Sequence, residues 1–136
     1  MQNKKYLILS HTADIKIRFY GKNFKDLIDS VFTFYFDNLS INFKNENIEE
    51  KIIEIQDESF EFLIVRLINE MIYLKEISKI IKGYKLLEIN NNSLKINLKI
   101  VDAEANFIEE FKSATYYDLK ICKINDVLFL EITIDV

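Results

Sequence analysis

The sequence predicts an α+β fold in a single domain, residues 1–136, with two amphipathic helices and antiparallel or mixed β-sheets. Two observations support this prediction. Apolar residues recur at helical spacing in two stretches and alternate with polar residues in most of the others. The second half of the chain also contains strand pairs joined by short turns, which is typical of antiparallel hairpins. Because 49% of the 136 residues are hydrophobic, the chain can fill one continuous core.

The first part of the chain is predicted to form two strands followed by a helix. Residues 6–9 are short and apolar, and residues 15–20 alternate apolar and polar side chains as a half-buried strand does. Asn23 provides an N-cap side chain for a helix that ends near Leu39. One apolar stripe at helical spacing follows this cap, formed by Phe24, Leu27, Ile28, Val31, Phe32 and Tyr35.

The remainder is predicted to add one strand, a second helix and four strands. Residues 40–49 are interpreted as a polar connector, residues 51–56 as a strand, and Ser59 as the cap of the second helix. The second helix has its own stripe, formed by Phe60, Leu63, Ile64, Leu67, Ile68 and Met71. Four strands follow, at residues 84–89, 94–100, 115–124 and 127–135. A loop is expected from Asp102 to the third of these strands.

Charge and cysteine content restrict the expected partners and the compartment. The chain has 22 acidic and 18 basic residues and a net charge of −4, whereas tight nucleic-acid binding usually relies on a basic surface. Direct, tight binding to RNA or DNA is therefore not expected. The single cysteine fits a reducing cytoplasm, and Cys122 is predicted to be a buried structural thiol. The polar N-terminus is not expected to act as a signal peptide, and no apolar stretch approaches the ~20 residues of a membrane span.

The residue types present exclude several kinds of chemistry. One His and one Cys cannot supply the roughly four ligands of a Cys/His zinc site, and two distant glycines exclude a phosphate-binding loop. No serine lies in a nucleophile elbow that His11 could serve, so no catalytic residue is predicted.

Carboxylates are the remaining candidates for a functional site. Asp14, Asp135 and the C-terminal carboxylate of Val136 would together form an oxygen cluster suited to Ca²⁺, Mg²⁺ or Mn²⁺. Spacing alone does not bring them together. In the alternative interpretation, Asp14 closes a turn and Asp135 belongs to a solvated terminus.

Five segments, in the same order along the chain, resemble those of the archease family. They are residues 9–15 (Leu-Ser-His-Thr-Ala-Asp-Ile), 21–24 (Gly-Lys-Asn-Phe), 67–70 (Leu-Ile-Asn-Glu), 111–116 (Phe-Lys-Ser-Ala-Thr-Tyr) and 134–136 (Ile-Asp-Val). The first is similar to the family's His-Thr-Ala-Asp signature, and the last is similar to its closing Asp-Ile. The resemblance implies a strand-helix-strand-strand module with an inserted set of strands.

The same resemblance implies a function and a site. Archeases are accessory proteins of RtcB-type RNA ligases, which join tRNA halves, and they promote guanylylation and repeated turnover of the ligase without being enzymes themselves. The family's divalent-metal site maps onto Asp14, Asp135 and a main-chain or terminal oxygen of Val136, with Ca²⁺ the ion expected in a crystal. Lys112 matches a functional lysine that presents a cation to a phosphate or carboxylate, although it is also compatible with a solvated loop lysine. His11 is interpreted as a residue that orients the turn before Asp14.

Two other functions remain open from the residues alone. One is a small metal-dependent phosphodiesterase or nucleotide hydrolase that uses Asp14 and Asp135 as ligands, although few polar groups accompany them. The other is a chaperone-like or nucleic-acid-binding module, which the acidic balance of the chain disfavours.

Overall fold

The computed structural model describes the backbone of residues 5–11 and 13–136 and the side chains of these residues except 10, 11 and 42–46. The described chain forms the elements β1 (Tyr6–His11), β2 (Asp14–Gly21), α1 (Phe24–Asp37), β3 (Leu39–Gln56), α2 (Phe60–Glu76), β4 (Lys79–Ile89), β5 (Ser93–Phe107), β6 (Ser113–Ile124) and β7 (Val127–Asp135). This order agrees with the predicted succession of strands and helices, and the α+β class is confirmed.

The strands form two separate antiparallel sheets. One sheet has the strand order β1-β2-β7-β6 and is called the terminal sheet, because it joins the beginning and the end of the chain. The other has the order β3-β5-β4 and is called the inserted sheet, because its strands come from the middle. All the pairings recorded between these strands are antiparallel.

Both helices begin at the residues that the sequence predicts. The Asn23 side chain accepts a hydrogen bond from the main-chain N–H of Asp26 at 2.9 Å, and the Ser59 hydroxyl accepts one from that of Phe62 at 3.4 Å. These contacts satisfy N–H groups that have no partner within the helix. Each helix contacts strands of both sheets, so one apolar core connects the two helices and the two sheets.

A close approach at the end of β2 requires glycine. A Cβ atom on Gly21 would lie 2.8 Å from the main-chain nitrogen of Leu27 in α1, nearer than real Cβ contacts allow. Gly21 therefore lets the chain turn directly from β2 into α1.

Two predicted loops are strands in the structure. Residues 40–49 belong to β3, and β5 continues past Asp102 to Phe107. The two extensions pair with each other, from Leu39 opposite Phe107 to Ile48 opposite Val101, with two irregularities in the register. The main-chain hydrogen bonds of each extension are formed with the other, which is distant in the sequence. The polarity of a short segment does not reveal such a partner. In addition, α2 continues to Glu76, and β4 begins at Lys79.

The prediction for Cys122 is wrong, because its thiol is exposed. Leu119 and Ile121, the nearest alternate residues of β6, pack against the core, and Cys122 lies on the opposite face together with Lys120. Successive strand side chains point to opposite faces, which places Cys122 outside. No helix in the described part of the chain is long and apolar enough to cross a membrane.

Candidate functional site

The two carboxylates predicted to bind metal are directly opposed in the terminal sheet. Asp14 is the first residue of β2, Asp135 is the last residue of β7, and the two are register partners. Directly opposed residues of an antiparallel pair have Cβ atoms about 4.5–5.5 Å apart and share one face of the sheet. The fold thus brings together two residues from opposite ends of the chain.

The hydrophobic core fixes this register. Along the same two strands, the pairs that face the core are Ile15 with Ile134, Ile17 with Ile132 and Phe19 with Leu130. All six of these side chains are buried. A shift of one residue would turn these side chains out of the core and is therefore strongly disfavoured. Asp14 and Asp135 face outward at the edge of this packed region, and both are exposed.

The register places two like charges side by side at this edge of the terminal sheet. Directly opposed like charges destabilise a sheet, and no described side chain forms a recorded hydrogen bond or ion pair with either carboxylate. Among the described side chains there is also no group of three or more His, Cys, Asp or Glu residues suited to a metal ion. Among the described residues, the two carboxylates and the nearby main-chain oxygens are donors of the kind that hard cations such as Ca²⁺ accept.

Val136 and Lys112 lie next to this pair. The Val136 side chain is half-buried against the core, which positions its main chain directly after Asp135. The main-chain N–H of Lys112 donates a hydrogen bond to the main-chain oxygen of Asp135 at 2.8 Å. Ser113, the residue after Lys112, is the register partner of Asp135 on β6. Lys112 is exposed, and no described side chain forms a recorded ion pair with its ammonium.

Two buried contacts position the segment that carries Lys112. Phe111 is only 6% exposed and packs against the rings of Phe34 and Phe107 at centroid distances of 5.3 and 5.0 Å. Asn69 of α2 accepts a hydrogen bond from the main-chain N–H of Ala114 at 2.7 Å and donates one to its carbonyl at 3.1 Å. Lys112 is therefore held between two anchored neighbours.

Asn69 lies in one of the five family-like segments, but the sequence predicts no role for it; its two hydrogen bonds to Ala114 make it a positioning residue. It follows Ile68 in the apolar stripe of α2, and a polar amide beside such a stripe is a signal for a specific buried partner. Its partner, Ala114, lies on β6, so only the fold shows that Asn69 supports the site. The role expected for His11 falls on a side chain outside the described residues. The backbone of His11 pairs with Ile15, beside Asp14.

The outer face of the terminal sheet also carries a charge cluster two rows away from the Asp14–Asp135 pair. Arg18 donates from Nε at 3.1 Å and from Nη2 at 2.7 Å to Glu131 Oε1, and Lys120 Nζ lies 3.4 Å from Oε2. Burial raises the pKa of the Glu131 carboxyl, but the contacts with Arg18 and Lys120 outweigh it, so that the pKa lies below its usual value. Glu131 therefore remains ionised, and its contribution to stability is lost only as the pH falls through this lowered pKa.

Comparison with known proteins gives consistent matches over nearly the whole chain. Residues 6–136 match the profile of the Archease protein family (MTH1598/TM1083). The archease of Pyrococcus furiosus is 31% identical over 123 residues, which cover 85% of this chain and 87% of that protein.

Two solved structures share the fold. The crystal structure of an archease from Thermotoga maritima, described as a possible chaperone, has a TM-score of 0.67 and 18% identity and covers 94% of each chain. The solution structure of Methanobacterium thermoautotrophicum protein 1598 has a TM-score of 0.67 and 14% identity, and it covers 98% of this chain and 100% of that chain. The profile match and the Pyrococcus relative, together with this shared fold, agree with the five segments noted in the sequence. The chain belongs to the archease family.

Proposed function

We propose that this protein is a non-enzymatic activator of an RtcB-type RNA ligase in tRNA splicing, and that it promotes guanylylation and repeated turnover of the ligase. The observation that supports this most is the outer edge of the terminal sheet, where Asp14 faces Asp135 and Lys112 is hydrogen-bonded to the same strand. These are the residues onto which the family resemblance maps its metal site and its functional lysine.

The donor groups at this edge fit a hard divalent cation. Asp14, Asp135 and the main-chain oxygen of Val136 would hold Ca²⁺, Mg²⁺ or Mn²⁺, since all three groups are oxygen donors. When bound, such an ion supplies concentrated positive charge at an otherwise acidic edge. The role of the chain is to hold its two carboxylates in register beside each other.

Lys112 would present its ammonium to a phosphate or carboxylate of the ligase complex. It is exposed, while Phe111 directly before it and Ala114 two residues after it are buried, so the cation is presented from an anchored segment. A positioned ammonium of this kind forms charge-assisted hydrogen bonds that are stronger than neutral ones.

We place the activity in the cytoplasm and assign contact with tRNA halves to the ligase. A chain with a net charge of −4 lacks the basic excess that tight phosphate binding usually requires. On this proposal the protein meets the RNA only within the complex.

Guanylylation of the purified ligase tests the proposal. The ligase is incubated with radiolabelled guanosine triphosphate and a divalent cation, with and without this protein, and the covalent ligase adduct is followed over time. We expect the adduct to form faster with the protein present. In a third arm, the protein alone is expected to leave guanosine triphosphate and RNA intact.

Two results would contradict the proposal. One is an unchanged rate of adduct formation over a full range of protein concentrations. The other is hydrolysis of RNA or guanosine triphosphate by the protein alone, lost in an Asp14→Ala variant, which would identify the metal-dependent hydrolase considered from the sequence.

A further inference from the structure

The two most exposed large hydrophobic side chains in the described part of the chain lie on either side of Lys112. Ile108, four residues before it, is 71% exposed, and Tyr117, five residues after it, is 69% exposed. The main-chain N–H of Ile108 donates a hydrogen bond to the carbonyl of Asn38 at 2.7 Å, so its backbone is held in place. Single exposed apolar side chains are common on protein surfaces, but here the two extremes of exposure bracket one functional residue.

Contacts with α2 show how the segment between these two residues runs. Near its beginning, the ring centre of Phe107 lies 5.5 Å from the ammonium of Lys75, in the last turn of α2. Near its end, Tyr116 meets the ring of Phe62 edge-on at a centroid distance of 5.1 Å, in the first turn of α2. The segment is therefore antiparallel to the helix, and its two ends lie about 20 Å apart along the helix axis, with Lys112 between them.

A bulge in β6 carries the second of the two exposed side chains. The regular pairing of β6 with β7 stops at Thr115 and resumes at Lys120, so that β6 advances five residues while β7 advances two. Within the bulge, Asp118 adopts a φ of 51°, a left-handed conformation that is uncommon for residues other than glycine. Bulges with such backbone strain are found next to functional sites, where they redirect side chains. Tyr117 directly precedes Asp118 and is presented to solvent by this irregularity.

The size of a protein interface makes the ligase the occupant of this surface. A specific interface covers about 800 Å² on each partner, which corresponds to a patch about 30 Å across. A ligase surface that reaches Lys112 therefore also covers both ends of the segment. The charges agree, because residues 108–118 contain three carboxylates and one ammonium. Such a segment repels RNA, whereas it complements a ligase, which has to be basic around its nucleotide and RNA sites.

We propose that Ile108 and Tyr117 are the apolar contacts through which this segment docks on the ligase, one on each side of the Lys112 ammonium. This inference rests on the proposed function and adds the surface that recognises the partner. A few residues that become buried supply most of the binding energy of an interface, and tyrosine is enriched among them. The two side chains set the affinity of docking and take no part in the guanylylation step.

A titration of dilute ligase with this protein tests the inference. The initial rate of guanylylation is measured at each protein concentration, which yields a half-saturating concentration and a maximal rate. Ile108→Ser and Tyr117→Ser should each raise the half-saturating concentration about tenfold and leave the maximal rate as in the parent. The double variant should raise it about a hundredfold, because sites this far apart act additively.

Three controls separate docking from other effects of the substitutions. Tyr117→Phe keeps the ring and should behave like the parent. Ile52→Ser replaces an isoleucine of the inserted sheet that is 56% exposed, and it should also leave the half-saturating concentration unchanged. Thermal unfolding should occur at the parent's temperature in all variants, since each replaced side chain is exposed.

The possible outcomes distinguish this inference from the activator function itself. Parent-like half-saturating concentrations in both serine variants, or a lower maximal rate without a change in half-saturation, would overturn the docking role and leave the activator function standing. No stimulation by the parent at any concentration would remove both. Two measurements on the protein alone cover the other occupants. A parent dimer that dissociates in the serine variants would identify a second copy, and binding of tRNA halves that is lost in Tyr117→Ser would identify RNA; either result would overturn the assignment to the ligase.

Discussion

Replacement of Asp135 by alanine is expected to reduce ligase stimulation at least about tenfold. Mutation of a residue that only supports a metal ligand already lowers metal affinity or activity about 10–100-fold, and Asp135 is itself a proposed ligand. Asp14→Ala should have the same effect, since the two carboxylates face each other across β2 and β7. The fold should be retained. The hydrogen bond that Asp135 accepts from Lys112 uses a main-chain oxygen, which the substitution leaves in place.

Thermal unfolding separates loss of metal binding from loss of structure. Without metal, both variants should be as stable as the parent or slightly more so, because one of two opposed like charges is removed. Added Ca²⁺ should raise the melting temperature of the parent and leave that of the variants unchanged, since a ligand stabilises only a state that binds it. Glu54→Ala, an exposed strand carboxylate of the inserted sheet, is the matched control and should behave like the parent. Parent-like stimulation by both aspartate variants would remove the metal site from the mechanism.

Replacement of Lys112 by alanine is expected to slow activation about tenfold while changing the free energy of unfolding by less than about 0.5 kcal/mol. The activity loss corresponds to one charge-assisted hydrogen bond, because tenfold is about 1.4 kcal/mol. The stability change is small because the lysine side chain is exposed, while the anchoring contacts belong to Phe111 and Asn69. Lys112→Arg keeps the charge with a different shape, and partial activity in this variant would indicate a simple electrostatic role.

Measurement across ligase concentrations distinguishes weaker docking from slower guanylylation within the complex. Lys99→Ala, which removes an exposed lysine of the inserted sheet, is the control for general charge loss. If Lys112→Ala stimulates the ligase fully at every concentration, Lys112 is a solvated loop lysine and has no part in activation.

The local elements of the fold follow closely from the sequence. The caps at Asn23 and Ser59 and the apolar stripes behind them act within a few residues of the chain, so periodicity and capping are enough to place the helix starts. The hairpin of β6 and β7 is equally local, with Asn125 and Asp126 both adopting the positive φ angles that such a turn requires.

The errors arise where distant partners decide the structure. Residues 40–49 are mostly polar, and the far end of β5 supplies the distant strand with which they pair. The prediction for Cys122 is wrong because Leu119 and Ile121 take the core-facing positions of this part of β6, whereas Cys122 lies on the opposite face.

The candidate site likewise combines features that the local sequence predicts with features that depend on distant contacts. Composition identifies carboxylates as the available ligands, but no local pattern joins Asp14 to Asp135. Their pairing depends on the core register of β2 and β7, set by buried residues such as Ile17 and Ile132. In the sequence alone, only the resemblance to the archease family indicates that Asp14 and Asp135 share a site. The hydrogen bond between Asn69 and Ala114 likewise cannot be predicted from a local pattern, because the two residues lie on different elements, α2 and β6.

Multiple-turnover ligation tests the central claim most directly. Purified ligase is held well below the concentration of paired tRNA halves, with guanosine triphosphate and a divalent cation present, and joined RNA is counted per ligase molecule. With this protein present, the account predicts many joined molecules per ligase; without it, the reaction should stop near one. Repeated turnover by the ligase alone at the same rate, or no increase on addition of this protein, would contradict the account.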